Sequence, residues 1–417
     1  MKKPSALIIF LTVFIDLIGF GIVLPLIPLF SDGFGANGFL VGVIMASFSA
    51  MQFLFAPLWG RMSDRIGRRP VILIGLCGST ISYAIFAIAC GLQGESKELA
   101  LWVILGSRML AGVMGANVSV AQAYMADVSP PEKRSKSMGL IGMAFGLGFV
   151  FGPFIGALGL AQFGMTGPGW VATGFCGFAF LFAVMKLQES RKPDSDAAPQ
   201  RPHFQQIKKV LGTPQVGLLI GLFFLATFCF TTFETTLGLL VQNNFGLDKE
   251  NPQDAKTIGY LFGFAGLVGA MVQGGMIGRL VKKYGEPKLI VMSLVLTGIS
   301  LAPLPFAKTW TWLLIALGGL AIGSSLTRPP IFGMISMLSP KDEQGATIGV
   351  AQSAGSFARI FGPIFAGTCF ELRQELPYLI CGAVAVLAAL IAVAKLGGAG
   401  PAVDAPTGTD SRKPSEA

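Results

Sequence analysis

Long apolar runs alternate with short, charged turns along almost the whole chain. A helix needs ~20 predominantly apolar residues to cross hydrocarbon. Twelve runs qualify, at 6–30, 38–60, 70–93, 99–126, 137–162, 168–189, 214–243, 256–279, 287–307, 310–336, 345–370 and 376–396. The pattern predicts an all-α integral membrane protein with twelve transmembrane helices. The sharpest turn is Gly60–Pro70, which carries four arginines, one aspartate and two glycines. Such a run cannot lie in hydrocarbon, so it reads as a tight, solvated turn between the second and third spans. Residues 190–213 form the one long internal linker, polar and proline-rich, and split the spans six and six. Residues 397–417, rich in Gly, Pro, Ser and Thr, read as a disordered tail.

The halves repeat. Gly60-Arg61 and Gly67 align with Gly278-Arg279 and Gly285 at an offset of 218. Ser129-Pro130, Gly139 and Phe151-Gly152-Pro153 align with Ser339-Pro340, Gly349 and Phe361-Gly362-Pro363 at an offset of 210. Two pseudo-symmetric six-helix bundles follow, 1–189 and 214–396. The second copy of the turn is degenerate, with Lys282 where the first has Asp64.

Composition agrees with a membrane protein. The 417 residues are 53% hydrophobic and only 13% charged, against the ~25% charged of soluble domains. The net charge of +9 marks cytoplasmic loops before nucleic acid. With the N-terminus inside, 23 of the 31 Lys and Arg fall on the side of the termini, five fall opposite and three lie within spans. That bias puts both termini in the cytoplasm. The five tryptophans lie near span ends, as an interfacial belt requires. The basic start and first apolar run read as a retained helix rather than a signal peptide, because no clear cleavage site follows. No C-x-x-C pair exists and the only histidine, His203, is in the linker, so no metal site is expected.

Two acids lie deep within spans, Asp16 and Glu234. A charge at mid-membrane costs ~2.5–3.5 kcal/mol even on the lenient insertion scale, so each should face a cavity or a partner. Asp16 either carries a proton, its protonation following hydration and one movable partner, or forms a fixed ion pair with Arg108. Glu234, among four threonines, either binds a cationic substrate, carries a second proton or sits near the interface. Arg328 and Arg359 either hold an anionic group or snorkel. Pro329-Pro330 should break the tenth span. Gly148, Gly152 and Gly156 give the fifth span a smooth face and Pro153 a kink, suited to rocking of the halves or to close packing. In the turn, Asp64 can cap a neighbouring helix or pair with an arginine when the inner ends close, and Asp127 is a further partner for Arg65, Arg68 and Arg69. Gln52, Gln122, Gln273 and Gln352 are candidates for a polar cavity wall, or for interhelical hydrogen bonds.

Gly60, Asp64, Arg65, Gly67, Arg68 and Arg69 resemble the loop signature of the major facilitator superfamily. Asp16-x-x-Gly19-x-Gly21-x-x-x-Pro25-x-x-Pro28, Arg108-x-x-x-Gly112 and Gly148-x-x-x-Gly152-Pro153-x-x-Gly156 resemble its twelve-helix drug:proton antiporters, the nearest likeness being to tetracycline efflux proteins and their relatives. The resemblance is dense over 6–160 and weak afterwards. It implies proton-coupled efflux of small amphipathic molecules by alternating access across a bacterial inner membrane. Its proton-coupling residues would be Asp16, Glu234 and Arg108, and its cavity would be lined by Asp16, Gln52, Gln122, Glu234, Gln273, Gln352 and Arg359. Tetracycline exporters carry acids in the third and ninth spans; here the third has Ser82 and 289–307 has none, which argues against metal-tetracycline as substrate. Expected partners are protons, lipid and substrate, with no cofactor, no nucleic acid and a monomeric state. No phosphate-binding Gly-x-x-x-x-Gly-Lys-Ser/Thr loop occurs, so ATP is not expected to drive it. A lipid or metabolite exporter of the same fold, or a membrane receptor or channel, are the alternatives.

Overall fold

The computed structural model describes residues 4–23, 38–92, 97–115, 117–191, 203–247, 252–340 and 342–396. Pro25, Pro28, residues 192–202 of the polar linker and the tail fall outside them. Among the described residues twelve long helical segments follow one another: α1 Ala6–Val23, α2 Gly38–Ile66, α3 Arg68–Gly91, α4 in two pieces (Lys97–Gly115 and Val118–Asp127), α5 Arg134–Phe163 and α6 Gly167–Lys186. Then come α7 Pro214–Phe245, α8 (Pro252–Met271, a π-helical turn Val272–Met276 and Ile277–Tyr284), α9 Glu286–Leu301, α10 Trp310–Leu338, α11 Gln344–Leu372 and α12 Leu376–Leu396. Hydrocarbon cannot hydrogen-bond a peptide group, so each apolar run satisfies its own backbone as a helix. Ten stretches are long and apolar enough to cross a bilayer, and one of them, Pro131–Lys186, holds two helices. The long helix outside that set is α11. Its Gly, Ala, Ser and Gln residues face other helices rather than lipid, and most of its first half is buried.

The outer surface is apolar. Ile74, Ile81 and Ile88 of α3, Phe178, Leu181 and Met185 of α6, and Leu387, Leu390 and Val393 of α12 are all exposed. Stripes of this kind belong against lipid tails rather than water. Trp102, Trp170, Trp310 and Trp312 are exposed in the same way, whereas Trp59 is not a belt residue. Its indole N–H donates inward to the Val113 carbonyl at 2.6 Å.

By packing, the helices form two groups. In the first, α1 lies on α5 and α6, and α3 lies on α4 and α6; in the second, α7 lies on α11 and α12, and α9 lies on α10 and α12. The groups meet along α2–α11, α5–α8, α5–α10 and α4–α11. The internal repeat is visible in the backbone. Gly67, between α2 and α3, has φ 98° and ψ 161°, and Gly285, between α8 and α9, has φ 75° and ψ 159°. Both turn the chain in a region that L side chains rarely enter.

The polar linker contains a helix: His203–Gly212 is amphipathic, and its buried face includes Gln206 and Val210. One expectation fails: α10 is not broken at Pro329-Pro330 but runs unbroken through both. Pro329, Pro330, Ile331 and Phe332 are all buried, so packing against α5, α7, α8 and α9 holds both flanks in line despite the missing amides.

Candidate transport site and gate

Asp16 lies ten residues into α1, ~15 Å along it at 1.5 Å per residue. It is half-buried, and its Oδ1 is buried with no hydrogen-bond partner. The Cys176 thiol of α6 donates to the Asp16 main-chain carbonyl at 3.8 Å. Arg108 of α4 is 1% exposed, and its guanidinium lies 5.0 Å over the Phe48 ring and against the phenol of Tyr83. Its Nε and Nη2 have no partner. Among the described residues no ion pair joins Asp16 to Arg108, so the two charges share a neighbourhood without neutralising each other directly. Ser82, at the position where the resembled exporters have an acid, is turned back onto the Gly78 carbonyl of its own helix at 2.7 Å.

The second half holds a different arrangement. Glu234 of α7 and Arg359 of α11 are half-buried and near enough to interact electrostatically, with no ion pair between them. Arg359 follows Gln352 and Ser356 on one face of α11, the face turned to the first half. Arg328 of α10 lies 5.0 Å over Phe145, 5.8 Å over Phe223 and 5.6 Å over Phe332. Surface grooves of about 410 Å³ beside Gly298 and Gly382, and about 460 Å³ beside Phe163 and Trp170, are apolar and lie apart from these charges.

On the basic side the halves are locked together. Asp64 accepts from the Gly345 N–H at 3.0 Å and the Ala346 N–H at 2.8 Å, so it caps α11 of the opposite half. It also pairs with Arg68 at 2.7 Å and Arg191 at 3.5 Å. Arg68, fully buried, pairs with Asp127 at 3.1 Å and donates to Ser63 at 2.7 Å. Gly60 is required beneath this cluster, because a Cβ there would collide with the Gly345 carbonyl. Arg69 faces the other way, donating to the Leu187 and Val184 carbonyls at the end of α6 at 2.8 and 2.9 Å. Arg65 is exposed.

Higher along the seam of α11 with α2 and α4 the glutamines are bonded across the interface. Gln352 donates to Gln122 at 2.7 Å, and Ser356 donates to Gln52, which in turn donates to the Gly115 carbonyl at 3.2 Å. Ser353 donates to the Phe53 carbonyl at 2.6 Å. Gln273 sits in the π-helical turn of α8 with Oε1 buried and unpartnered, pressed against Gly142 of α5. The Gly148–Gly156 face of α5 is close-packed within its own half. Gly148 and Gly152 meet Leu17 and Gly21 of α1, inside the same half, and Gly156 is buried. The face of α5 that meets the other half carries Gly139, Gly142 and Gly146, against Gln273, Ile277, Gly266 and Ala270 of α8. The helix is continuous through Pro153.

Sequence reasoning missed several members of the lock. Glu189, at the end of the first half, accepts from the Arg68 and Arg69 N–H groups at 2.8 and 3.0 Å and caps α3. Ser135 donates to Glu286 at 3.0 Å, and Arg134 to the Ser336 carbonyl at 2.9 Å, both across the halves. Lys209 of the linker helix pairs with Glu343 at 2.6 Å. The signal was present for Arg134 and Ser135, which stand at the 210 offset from Gln344 and Gly345.

The Major Facilitator Superfamily family model matches residues 9–277 and 274–416. The chain belongs to this superfamily. As a superfamily transporter it matches relatives through both halves, well beyond the 6–160 where the resemblance is densest. It is similar to tetracycline resistance protein, class C, of Escherichia coli, at 31% identity over 373 residues, 87% of this chain and 89% of that protein. It is also similar to multidrug resistance protein 1 of Bacillus subtilis (strain 168), at 29% over 385 residues, 90% and 92% of the two chains. Among solved structures it matches the human organic anion transporter MFSD10 (TETRAN) with a TM-score of 0.78 and 25% identity, over 93% of this chain and 98% of that one. Together these place it among multi-pass membrane transporters with tetracycline- and multidrug-efflux relatives.

Proposed function

We propose that this superfamily transporter is a proton-coupled exporter of small amphipathic molecules, acting by alternating access in a bacterial inner membrane with both termini in the cytoplasm. The observation that carries the reading is Asp16: a mid-depth carboxyl with an unpartnered oxygen and no ion pair to Arg108, both of them acting on Tyr83. Such a group changes protonation as water reaches it from one face or the other. The direction of export draws support from the tetracycline and multidrug relatives, and the placement of the basic side in the cytoplasm from the charge bias. The lock joining Asp64 to α11 is on that side, so the described state is closed toward the cytoplasm. One proton moving down ~100 mV and one pH unit supplies ~2.3 plus ~1.4 kcal/mol. That sustains a gradient of several hundred-fold for a neutral substrate.

The test is uptake of a fluorescent drug by inverted vesicles with and without an imposed pH gradient. Wild type should accumulate substrate only with the gradient. Asp16→Asn should abolish accumulation and leave downhill exchange intact. Full gradient-driven accumulation by the variant refutes the proton assignment, and gradient-independent flux in the wild type points to a channel or uniporter.

A further inference from the structure

Three charged side chains lie at mid-depth in the second half: Glu234, Arg359 and Arg328. They carry one negative and two positive charges, and no carboxylate forms an ion pair with either arginine among the described residues. Arg328 is the more isolated. No hydrogen bond to it exists among the described residues, and its Nε is buried without a partner. The charge that acts on it is another arginine, Arg359. What surrounds it is aromatic: Phe145 from the first half, and Phe223 and Phe332 from the second. It stands ten residues from the basic end of α10, ~15 Å along the helix, too deep to reach the interface easily.

A guanidinium in this position has unspent donors. Ring faces offset part of the cost of its charge. They accept no fork of hydrogen bonds. The planar N–H pairs match a carboxylate bidentately, and an apolar collar beside such a fork suits the hydrophobic body that carries it. Because Phe145 comes from the opposite half, the collar is complete only while the halves are together on this side, which places the anion where the two bundles meet. The first half shows no such surplus, having one mid-depth acid and one mid-depth arginine.

We propose that the substrate of this transporter is an amphipathic organic anion, its acid group held by Arg328 with Arg359 adjacent and its apolar body held by Phe145, Phe223 and Phe332. The proposal rests on the reading of the chain as an exporter of amphipathic molecules and names the charge that it accepts. Glu234 then keeps Arg359 from being a second full anion site and limits the load to one acid group.

Equilibrium binding separates this proposal from the question of proton coupling. Fluorescein and rhodamine 6G share a ring system and carry opposite charges at neutral pH. With detergent-purified full-length protein, fluorescence polarisation should give fluorescein binding at least tenfold tighter than rhodamine 6G. Arg328→Gln should weaken fluorescein at least tenfold and leave rhodamine 6G within twofold, and Arg328→Lys should fall between. Equal or tighter binding of rhodamine 6G by the wild type overturns the proposal without any variant. So does an Arg328→Gln protein that keeps wild-type thermal stability and wild-type fluorescein affinity. Loss of gradient dependence in the vesicle assay with fluorescein binding intact would sink the coupling and leave the anion site standing.

Discussion

Replacing Asp64 with Asn removes one charge from the centre of the closed seam and changes little else. Asp64 and Arg68 are 1% and 0% exposed at the side chain, so no water screens the pair. The carboxylate accepts two N–H groups of α11 at 3.0 and 2.8 Å. Hydrogen bonds to a charged group contribute ~1.5–3 kcal/mol each. An asparagine keeps one carbonyl oxygen and turns an amide toward the other donor, so one of the two bonds is lost outright. Of its two acid partners Arg68 retains Asp127, which is more exposed. When the halves part, residue 64 meets water whether it is Asp or Asn, so nearly all of the loss falls on the closed state. The net effect is ~3 kcal/mol, or a ~150-fold shift toward the state open on the basic side. Ser353, 7% exposed and bonded across the seam, is a suitable reporter. With the six native cysteines replaced, Ser353→Cys should react slowly with a membrane-impermeant maleimide applied from the basic side. Adding Asp64→Asn should raise that rate until the open state dominates, a rise of tens to about a hundredfold. A rate within threefold of the parent would show that the seam does not depend on this charge.

Other consequences follow from the same packing. Ser135→Ala removes the single hydroxyl bond to the half-buried Glu286 carboxylate, worth ~1.5 kcal/mol at the low end for a charged acceptor, so the same labelling rate should rise only ~10-fold. Gly152→Leu forces α5 away from α1, where Gly152 and Gly21 are in backbone contact; overpacking at ~3 kcal/mol should lower the Tm of the purified protein by at least ~5 °C. Lys209→Glu sets a like charge against Glu343 and should increase protease cleavage within His203–Gly212 severalfold by freeing the linker helix.

The helices were legible because a bilayer leaves a long apolar run one backbone solution. Most helix ends fall within a few residues of the apolar runs. What hydropathy does not encode is which face of a helix meets which neighbour. Gly139, Gly142 and Gly146 and the Gly148–Gly156 series are alike in composition, yet one set meets α8 and the other α1. Glu189 is 121 residues from Arg68, and nothing local marks it as the cap of α3. The linker helix was hidden for a different reason. Ten residues flanked by prolines read as polar loop, and the helix is held by tertiary contacts of Gln206, Lys209 and Val210 that the sequence does not announce. Pro329-Pro330 misled in the opposite direction, since local chemistry argued for a break that packing overrode.

The repeat explains the asymmetry of the lock better than decay of the second copy does. At the 218 offset Lys282 stands for Asp64 and Glu286 for Arg68, so the acid and the base of the pair have exchanged places. The exchange carries the acid across the turning glycine, from the end of one helix to the start of the next. It nevertheless reaches the same register in the opposite half: Asp64 meets Gly345 at the start of α11, and Glu286 meets Ser135, the 210-offset counterpart of Gly345, at the start of α5. Each of those helix starts presents the positive end of a dipole, which a carboxylate favours and an ammonium does not. The sign of the charge at the contact is therefore retained while its order along the chain is reversed. Strength is not retained. Asp64 is buried and takes two main-chain N–H groups with an arginine behind it, whereas Glu286 is half-buried and takes one hydroxyl. Opening on this side should therefore begin at the α5 contact with Glu286, the looser of the two, and the Asp64 contact should set how often opening goes to completion.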